Sequence, residues 1–134
     1  MNIITLLSIF SEWGLVALRV AFGVVFFAHG FSKFKNLKET QEWFQSIGYK
    51  PGAFWGTLVA LVETLGSLAI ILGFYTQSAA VLLAVVMINS TIWRMRQGHK
   101  LVGGYELDLA LLGIALFLAT NGAGIYSLDA YWNL

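Results

Sequence analysis

The chain has 134 residues, of which 58% are hydrophobic, 15% aromatic and only 11% charged, and its mean hydropathy is +0.75. A soluble domain is about one quarter charged, so this composition excludes a free soluble globule and also a disordered chain. The near balance of 8 basic and 7 acidic residues leaves no basic field for nucleic acid. Because cysteine is absent, disulfides, thiolate nucleophiles and cysteine-ligated metals are excluded. The length predicts a single membrane domain over residues 1–134.

Four apolar stretches have the roughly 20 residues that a transmembrane helix needs. They cover about 14–33, 55–74, 77–96 and 104–122. The links after the second and third spans are so short that neighbouring spans must run antiparallel. The first span has no Lys or Arg before it and no cleavage pattern after it, which indicates a retained helix rather than a signal peptide. The sequence therefore predicts an all-α integral membrane protein, an antiparallel four-helix bundle.

The longer link at 34–54 carries many charges and the only proline. Its apolar residues fall on one helical stripe, made of Leu37, Trp43, Phe44 and Ile47. This spacing predicts a short interfacial helix that lies on the membrane and stops at Gly48 and Pro51. A plain solvent-exposed loop is the alternative.

The basic residues predict the orientation of the bundle. Seven of the 8 fall on the face that holds the 34–54 and 97–103 loops, namely Lys33, Lys35, Lys38, Lys50, Arg94, Arg96 and Lys100. The positive-inside rule places this face in the cytoplasm and both termini outside. We therefore expect a multi-pass protein of a prokaryotic plasma membrane.

Six polar or charged residues lie inside the spans, where exposure to lipid costs a few kcal/mol each. They are Arg19, His29, Glu63, Asn89, Glu106 and Asp108. At about 1.5 Å per residue, all but Arg19 fall in the middle or cytoplasmic half of the bundle. We therefore predict a polar pocket there, with His29, Glu63, Asn89 and Glu106 as its candidate ligand-binding residues. Arg19 is long enough to reach Glu63 in a structural ion pair. The alternative is purely structural: that pair fixes helix register, and Asn89 donates an interhelical hydrogen bond.

The chemistry of these groups favours proton exchange over metal binding. A histidine titrates near neutral pH and a buried carboxylate is easily protonated, so a close His–Glu pair can relay protons, as a quinone site requires. Two histidines without cysteine form neither a bis-histidine haem site nor a Glu-x-x-His diiron pattern. We predict no metal site, no covalently bound cofactor and no complete catalytic constellation in this chain.

An ordered set of residues over about 14–130 resembles the DoxX family of small four-helix membrane proteins. The set comprises Arg19, Gly23, His29-Gly30, Lys33, Gly48, Pro51, Glu63, Gly66, Gly73, Thr76, Ala79-Ala80, Gly104-Tyr105-Glu106, Gly122, Gly124, Ser127 and Asp129. The turn at 122–124 departs from the family's Gly-Pro-Gly-like pattern because alanine replaces the proline. The resemblance implies a subunit of, or accessory to, a quinone-linked membrane oxidoreductase, with His29, Glu63 and Glu106 lining a quinone pocket and Arg19 holding Glu63.

Three hypotheses for function follow. The first is the redox subunit, which binds quinone while a partner at the cytoplasmic face brings the redox cofactor. The second is a membrane scaffold or assembly protein whose basic loops dock a partner. The third is a small-solute transporter, for which four helices make a thin pathway unless the protein forms a homo-oligomer.

Overall fold

The structure is a computed structural model that describes residues 1–134. It consists of helices joined by short links, with no strand: α1 (Ile3–Ser8), α2 (Ser11–Lys35), α3 (Leu37–Ser46), α4 (Gly52–Leu72), α5 (Thr76–Arg96), α6 (Glu106–Asn121) and α7 (Leu128–Trp132). Helices α2, α4 and α5 are long and apolar enough to cross a membrane, and so is the segment Leu101–Asn121 that contains α6. The prediction of a four-helix membrane bundle is confirmed.

The ends of the spans differ from the prediction by a few residues. Helix α4 begins at Gly52, directly after Pro51, which occupies the N-cap position without a side-chain capping bond. Proline is tolerated at a helix start because its missing N–H would have no intrahelical partner there. The fourth span starts with an irregular turn, Leu101–Tyr105, in which Gly103 has a φ of +75°. Regular helix therefore begins only at Glu106.

The bundle is built from two helix pairs. Helix α2 packs along α4, α5 packs along α6, and contacts between α4 and α5 join the two pairs. At Gly30 a Cβ atom would lie only 2.6 Å from the backbone nitrogen of Thr64. The backbones of α2 and α4 are therefore closer together at this point than they could be if residue 30 had a side chain. Phe22, Phe26 and Leu83 are fully buried between the pairs and belong to the central apolar core.

The 34–54 link contains the predicted short helix, α3, which packs against α4. Its apolar side turns inward, and Phe44 is buried. The Gln41 side chain donates to Thr57 Oγ1 at 2.8 Å, and Gln45 accepts from the Gly52 backbone N–H at 2.7 Å. The helix is confirmed, although it ends at Ser46, before the expected stop residues. Its placement at the membrane interface stays a prediction.

Arg19 does not form the expected ion pair with Glu63. It is 3% exposed, and its guanidinium donates to four backbone carbonyls, those of Ile70 at 3.1 Å, Ile71 at 3.0 Å, Ala123 at 2.8 Å and Tyr126 at 2.9 Å. The carbonyls in the last turn of α4 have no partner within the helix, so they attract a cation. Arg19 therefore extends toward the end of α4, about two turns beyond Glu63, and binds it to the C-terminal segment.

Two further contacts hold the same end of the bundle, which contains both chain termini. Asp129 accepts hydrogen bonds from the backbone N–H groups of Tyr75 at 2.6 Å and Thr76 at 3.0 Å, and thereby caps α5. Glu12 at the start of α2 accepts from the Ile125 backbone N–H at 2.9 Å. Together with Arg19, these side chains connect the segment after α6 to α2, α4 and α5.

Candidate functional site

A cavity of about 560 Å³ lies at the opposite end of the bundle, which carries the basic loops, and every spanning helix contributes to its wall. Most of the lining residues are hydrophobic. Phe26 comes from α2, Phe44 from α3, Val59 from α4, Met87 from α5 and Leu111 from α6. The volume falls in the range of about 300–1,000 Å³ that small-molecule sites occupy.

Aromatic side chains form the part of the wall next to α3. Trp43 of α3 meets Trp93 of α5 edge to face, with ring centroids 5.3 Å apart. Tyr49 makes similar contacts with Phe44 at 5.7 Å and with Trp55 of α4 at 6.3 Å. Because α3 is amphipathic and packs on α4, these rings bridge α3, α4 and α5 along one side of the cavity.

The first ion pair in the cavity wall joins α2 to α4. Lys33 Nζ lies 2.6 Å from Glu63 Oε2, and the Glu63 side chain is only 2% exposed. Lys33 follows Gly30 by three residues, on the same side of α2, and Gly30 lies against Thr64, the neighbour of Glu63. The close helix approach at this glycine therefore brings the lysine to the carboxylate, and the pairing compensates the buried charge.

The second ion pair joins α5 to α6. Arg94 Nε donates to Asp108 Oδ2 at 2.9 Å, and Ser90 Oγ donates to the same oxygen at 2.6 Å. Ser90 and Arg94 are four residues apart, so they lie on one face of α5. Each packed helix pair thus contributes one ion pair to the same cavity.

Three of the four predicted pocket residues line the cavity: His29, Glu63 and Asn89. His29 is an exposed residue that lines the cavity, and its imidazole makes no hydrogen bond to the protein. The amide of Asn89 donates to the Val85 carbonyl of its own helix at 2.8 Å and accepts from the Tyr49 hydroxyl at 3.5 Å. Whether these residues bind a ligand stays a prediction.

The structure does not bring the fourth, Glu106, to the cavity. This residue is exposed at the start of α6, and its carboxylate accepts from the Gly103 backbone N–H at 3.2 Å. Asp108 lines the cavity instead. Two residues correspond to about 200° around a helix, so only one of these two carboxylates can face the bundle interior.

Sequence reasoning also missed the role of Lys33, Ser90 and Arg94. Lys33 lies at the end of an apolar span, where a lysine side chain can extend to the membrane surface and needs no partner. The sequence did contain a signal for the second ion pair. Asp108 lies near the start of the fourth span, at a similar depth to Ser90 and Arg94, which are four residues apart near the end of the third span and have the complementary charge and polarity.

No cluster of three or more His, Asp or Glu side chains is arranged to hold a metal ion.

The fold and this cavity define a class: a small multi-pass membrane protein with an apolar, ligand-sized chamber that contains two ion pairs. The profile of the DoxX family matches residues 14–95. The chain therefore belongs to the DoxX family, as its ordered residues suggested.

Curated relatives match nearly the full chain. The protein named "Putative oxidoreductase CatD" from Bacillus subtilis (strain 168) is 32% identical over 120 residues, which are 90% of this chain and 87% of the relative. Two proteins of Escherichia coli (strain K12) follow. "Inner membrane protein YqjF" is 30% identical over 92% of this chain and 95% of its own length, and "Inner membrane protein YphA" is 27% identical over 86% and 87%. No solved structure matches the chain significantly.

Proposed function

We propose that this protein is a subunit of, or accessory to, a quinone-linked membrane oxidoreductase and that it holds a quinone-type ligand in the cavity. The observation that carries the proposal is the cavity itself, because it combines apolar and aromatic walls with two ion pairs in a space of ligand size. The name of the Bacillus subtilis relative, "Putative oxidoreductase CatD", supports the same class of function.

The lining suits a flat ring that carries oxygen atoms. Trp43 and Trp93 offer aromatic surface, and apolar side chains of α4 and α5 suit an isoprenoid or other hydrocarbon tail. Lys33 and Arg94 have N–H groups beyond those used in their ion pairs and can donate to ring oxygens. His29 lines the same cavity and can exchange a proton with such an oxygen.

The redox cofactor is proposed to come from a partner protein. This chain has no cluster of metal-ligating side chains of its own and no nucleotide-binding motif. Its part in the reaction is therefore to bind and orient the ligand and to hold protons near it. We propose that the partner docks at the face of the basic loops and that this face is cytoplasmic, with both termini outside.

Retention of quinone by the purified protein tests the proposal. The protein is extracted in a mild uncharged detergent, and bound quinones are quantified by solvent extraction and mass spectrometry. We expect retention in the wild type, an at least tenfold loss in Val59→Trp, which fills the cavity, and a severalfold loss in His29→Ala. Glu106→Gln is the matched control because Glu106 lies outside the cavity.

The melting temperature of each variant separates loss of binding from loss of folding. Quinone content equal to that of a control membrane protein, or unchanged in a folded Val59→Trp variant, would overturn the proposal.

A scaffold that docks a partner is the second candidate, and the exposure of Lys35, Lys38 and Arg96 favours it. Crosslinking in membranes distinguishes the two functions. The scaffold function predicts that a soluble partner is captured, that capture depends on these three basic residues, and that it persists in Val59→Trp. If, in addition, the protein contains no bound quinone, these results would support the scaffold function and not the quinone site.

A further inference from the structure

The two ion pairs of the cavity share an orientation. In the first pair the Lys33 side chain is 31% exposed and Glu63 is 2% exposed; in the second, Arg94 is 38% exposed and Asp108 is 13% exposed. All four residues line the cavity. In each pair, therefore, the cation is the more accessible member and the carboxylate lies deeper in the protein.

The hydrogen bonds strengthen this asymmetry. Asp108 Oδ2 already accepts two hydrogen bonds, from Ser90 and Arg94, and Glu63 Oε2 accepts one from Lys33. Arg94 uses only Nε, which leaves the N–H groups of both terminal nitrogens free, and Lys33 Nζ has two further hydrogens. Glu63 Oε1 and Asp108 Oδ1 also accept no hydrogen bond, but they belong to the more buried member of each pair. The more accessible polar groups of the two pairs are thus the positively charged donors.

We infer that, among ligands of the quinone type, the cavity selects those whose ring oxygen is ionised, such as the anion of a hydroxyquinone or a phenolate. This inference rests on the proposed function. Each ion pair is neutral as a whole, but it presents its positive member to the ligand, and the apolar surroundings strengthen the resulting attraction. An anionic oxygen accepts charge-assisted hydrogen bonds from Lys33 or Arg94, whereas a neutral quinol hydroxyl would have to donate to carboxylates that lie behind them.

A pair of probes that differ mainly in charge tests the inference. 2-Hydroxy-1,4-naphthoquinone is ionised at neutral pH, and 2-methoxy-1,4-naphthoquinone has the same ring system without a charge. Their affinities for the wild-type protein are measured by titration calorimetry in uncharged detergent at pH 7.5. We expect the anion to bind about tenfold more tightly, because charge-assisted hydrogen bonds are roughly twice as strong as neutral ones.

Variants that neutralise a whole ion pair locate the source of the preference. Lys33→Gln with Glu63→Gln, and Arg94→Gln with Asp108→Asn, remove both charges of a pair while they retain polar side chains of similar size. At least one of these double variants is expected to reduce the advantage of the anion to less than threefold, with little change for the methoxy probe. Arg96→Gln is the matched control, since Arg96 is exposed on the same helix but does not line the cavity.

The outcomes separate this inference from the proposed function. Equal binding of the two probes to the wild type would overturn the inference and leave the quinone site standing, whereas binding of neither would remove both. A preference that persists in both folded double variants, or that disappears in Arg96→Gln, would also overturn it. The comparison of probes needs only the wild type, so it remains decisive if a double variant does not fold.

Discussion

Replacement of Arg19 by methionine is the sharpest test of how the bundle is held together. Methionine matches the aliphatic part of arginine in length but lacks the guanidinium and its four hydrogen bonds. The carbonyls of Ile71, Ala123 and Tyr126 have no other hydrogen-bond donor, whereas that of Ile70 also accepts from the Gly73 backbone N–H. The variant would therefore leave three carbonyls without a partner inside the protein.

The magnitude follows from these bonds. Hydrogen bonds inside membrane proteins average about 0.6 kcal/mol each, which for the four bonds of Arg19 gives a lower bound of about 2 kcal/mol. An unsatisfied carbonyl costs about 1–3 kcal/mol when it stays buried, so the three carbonyls together set an upper bound of about 9 kcal/mol. Because only Ala123 is a buried residue, whereas Ile71 is half-buried and Tyr126 is exposed, the expected loss lies well below that bound. We expect the free energy of unfolding to fall by about 2–5 kcal/mol in Arg19→Met.

Unfolding in mixed micelles with increasing denaturing detergent measures this loss, and limited proteolysis locates it. Because Arg19 holds the segment after α6, residues 122–134 are expected to become cleavable before the rest of the chain. Arg96→Met is the matched control, an exposed arginine without hydrogen bonds to the protein, and is expected to change stability by less than about 0.5 kcal/mol. An Arg19→Met protein as stable as this control, with a protected C-terminal segment, would refute the reasoning.

Two further predictions concern helix packing and capping. Gly30→Ala places a Cβ atom 2.6 Å from a backbone nitrogen of α4, so we expect a loss of about 1–3 kcal/mol; Gly113→Ala, in open space, should instead stabilise the helix by up to about 1 kcal/mol. Equal melting temperatures for the two variants would contradict this difference. Asp129→Ala removes the acceptors for Tyr75 and Thr76 and should cost about 1–2 kcal/mol, partly restored in Asp129→Asn. Thermal unfolding in detergent checks it, and a wild-type melting temperature for Asp129→Ala would count against the cap.

The contacts of the charged residues show where prediction from sequence stops. The predicted pair of Arg19 and Glu63 rests on the reach of the long arginine side chain across a difference in depth. Depth along a helix can be compared only to within a turn or two while the offset between helices is unknown. The contact of Gly30 with Thr64 sets that offset, so that Glu63 lies level with Lys33 and Arg19 lies level with the end of α4. No pattern within a single helix contains this information.

The choice between Glu106 and Asp108 illustrates the same limit around the helix axis. Both are carboxylates at the start of an apolar span, and sequence alone treats them as equivalent in depth. The irregular turn at 101–105 and the packing of α6 on α5 turn Asp108 toward Ser90 and Arg94 and leave Glu106 at the surface. The prediction therefore names Glu106 as the cavity residue, whereas Asp108, two positions further along the chain, lines the cavity.

What the sequence determines by itself is the set of properties that depend on local composition: four apolar spans, an antiparallel arrangement enforced by short links, an amphipathic α3 and basic residues gathered at one end. Hydrophobicity and link length are properties of a local segment of the chain, so they can be determined without knowing which residues lie beside that segment in the fold. The tertiary structure alone decided which charges pair, which of Glu106 and Asp108 lines the cavity and which member of each ion pair is the more exposed. These depend on the rotation and offset of each helix, which close contacts between distant residues determine.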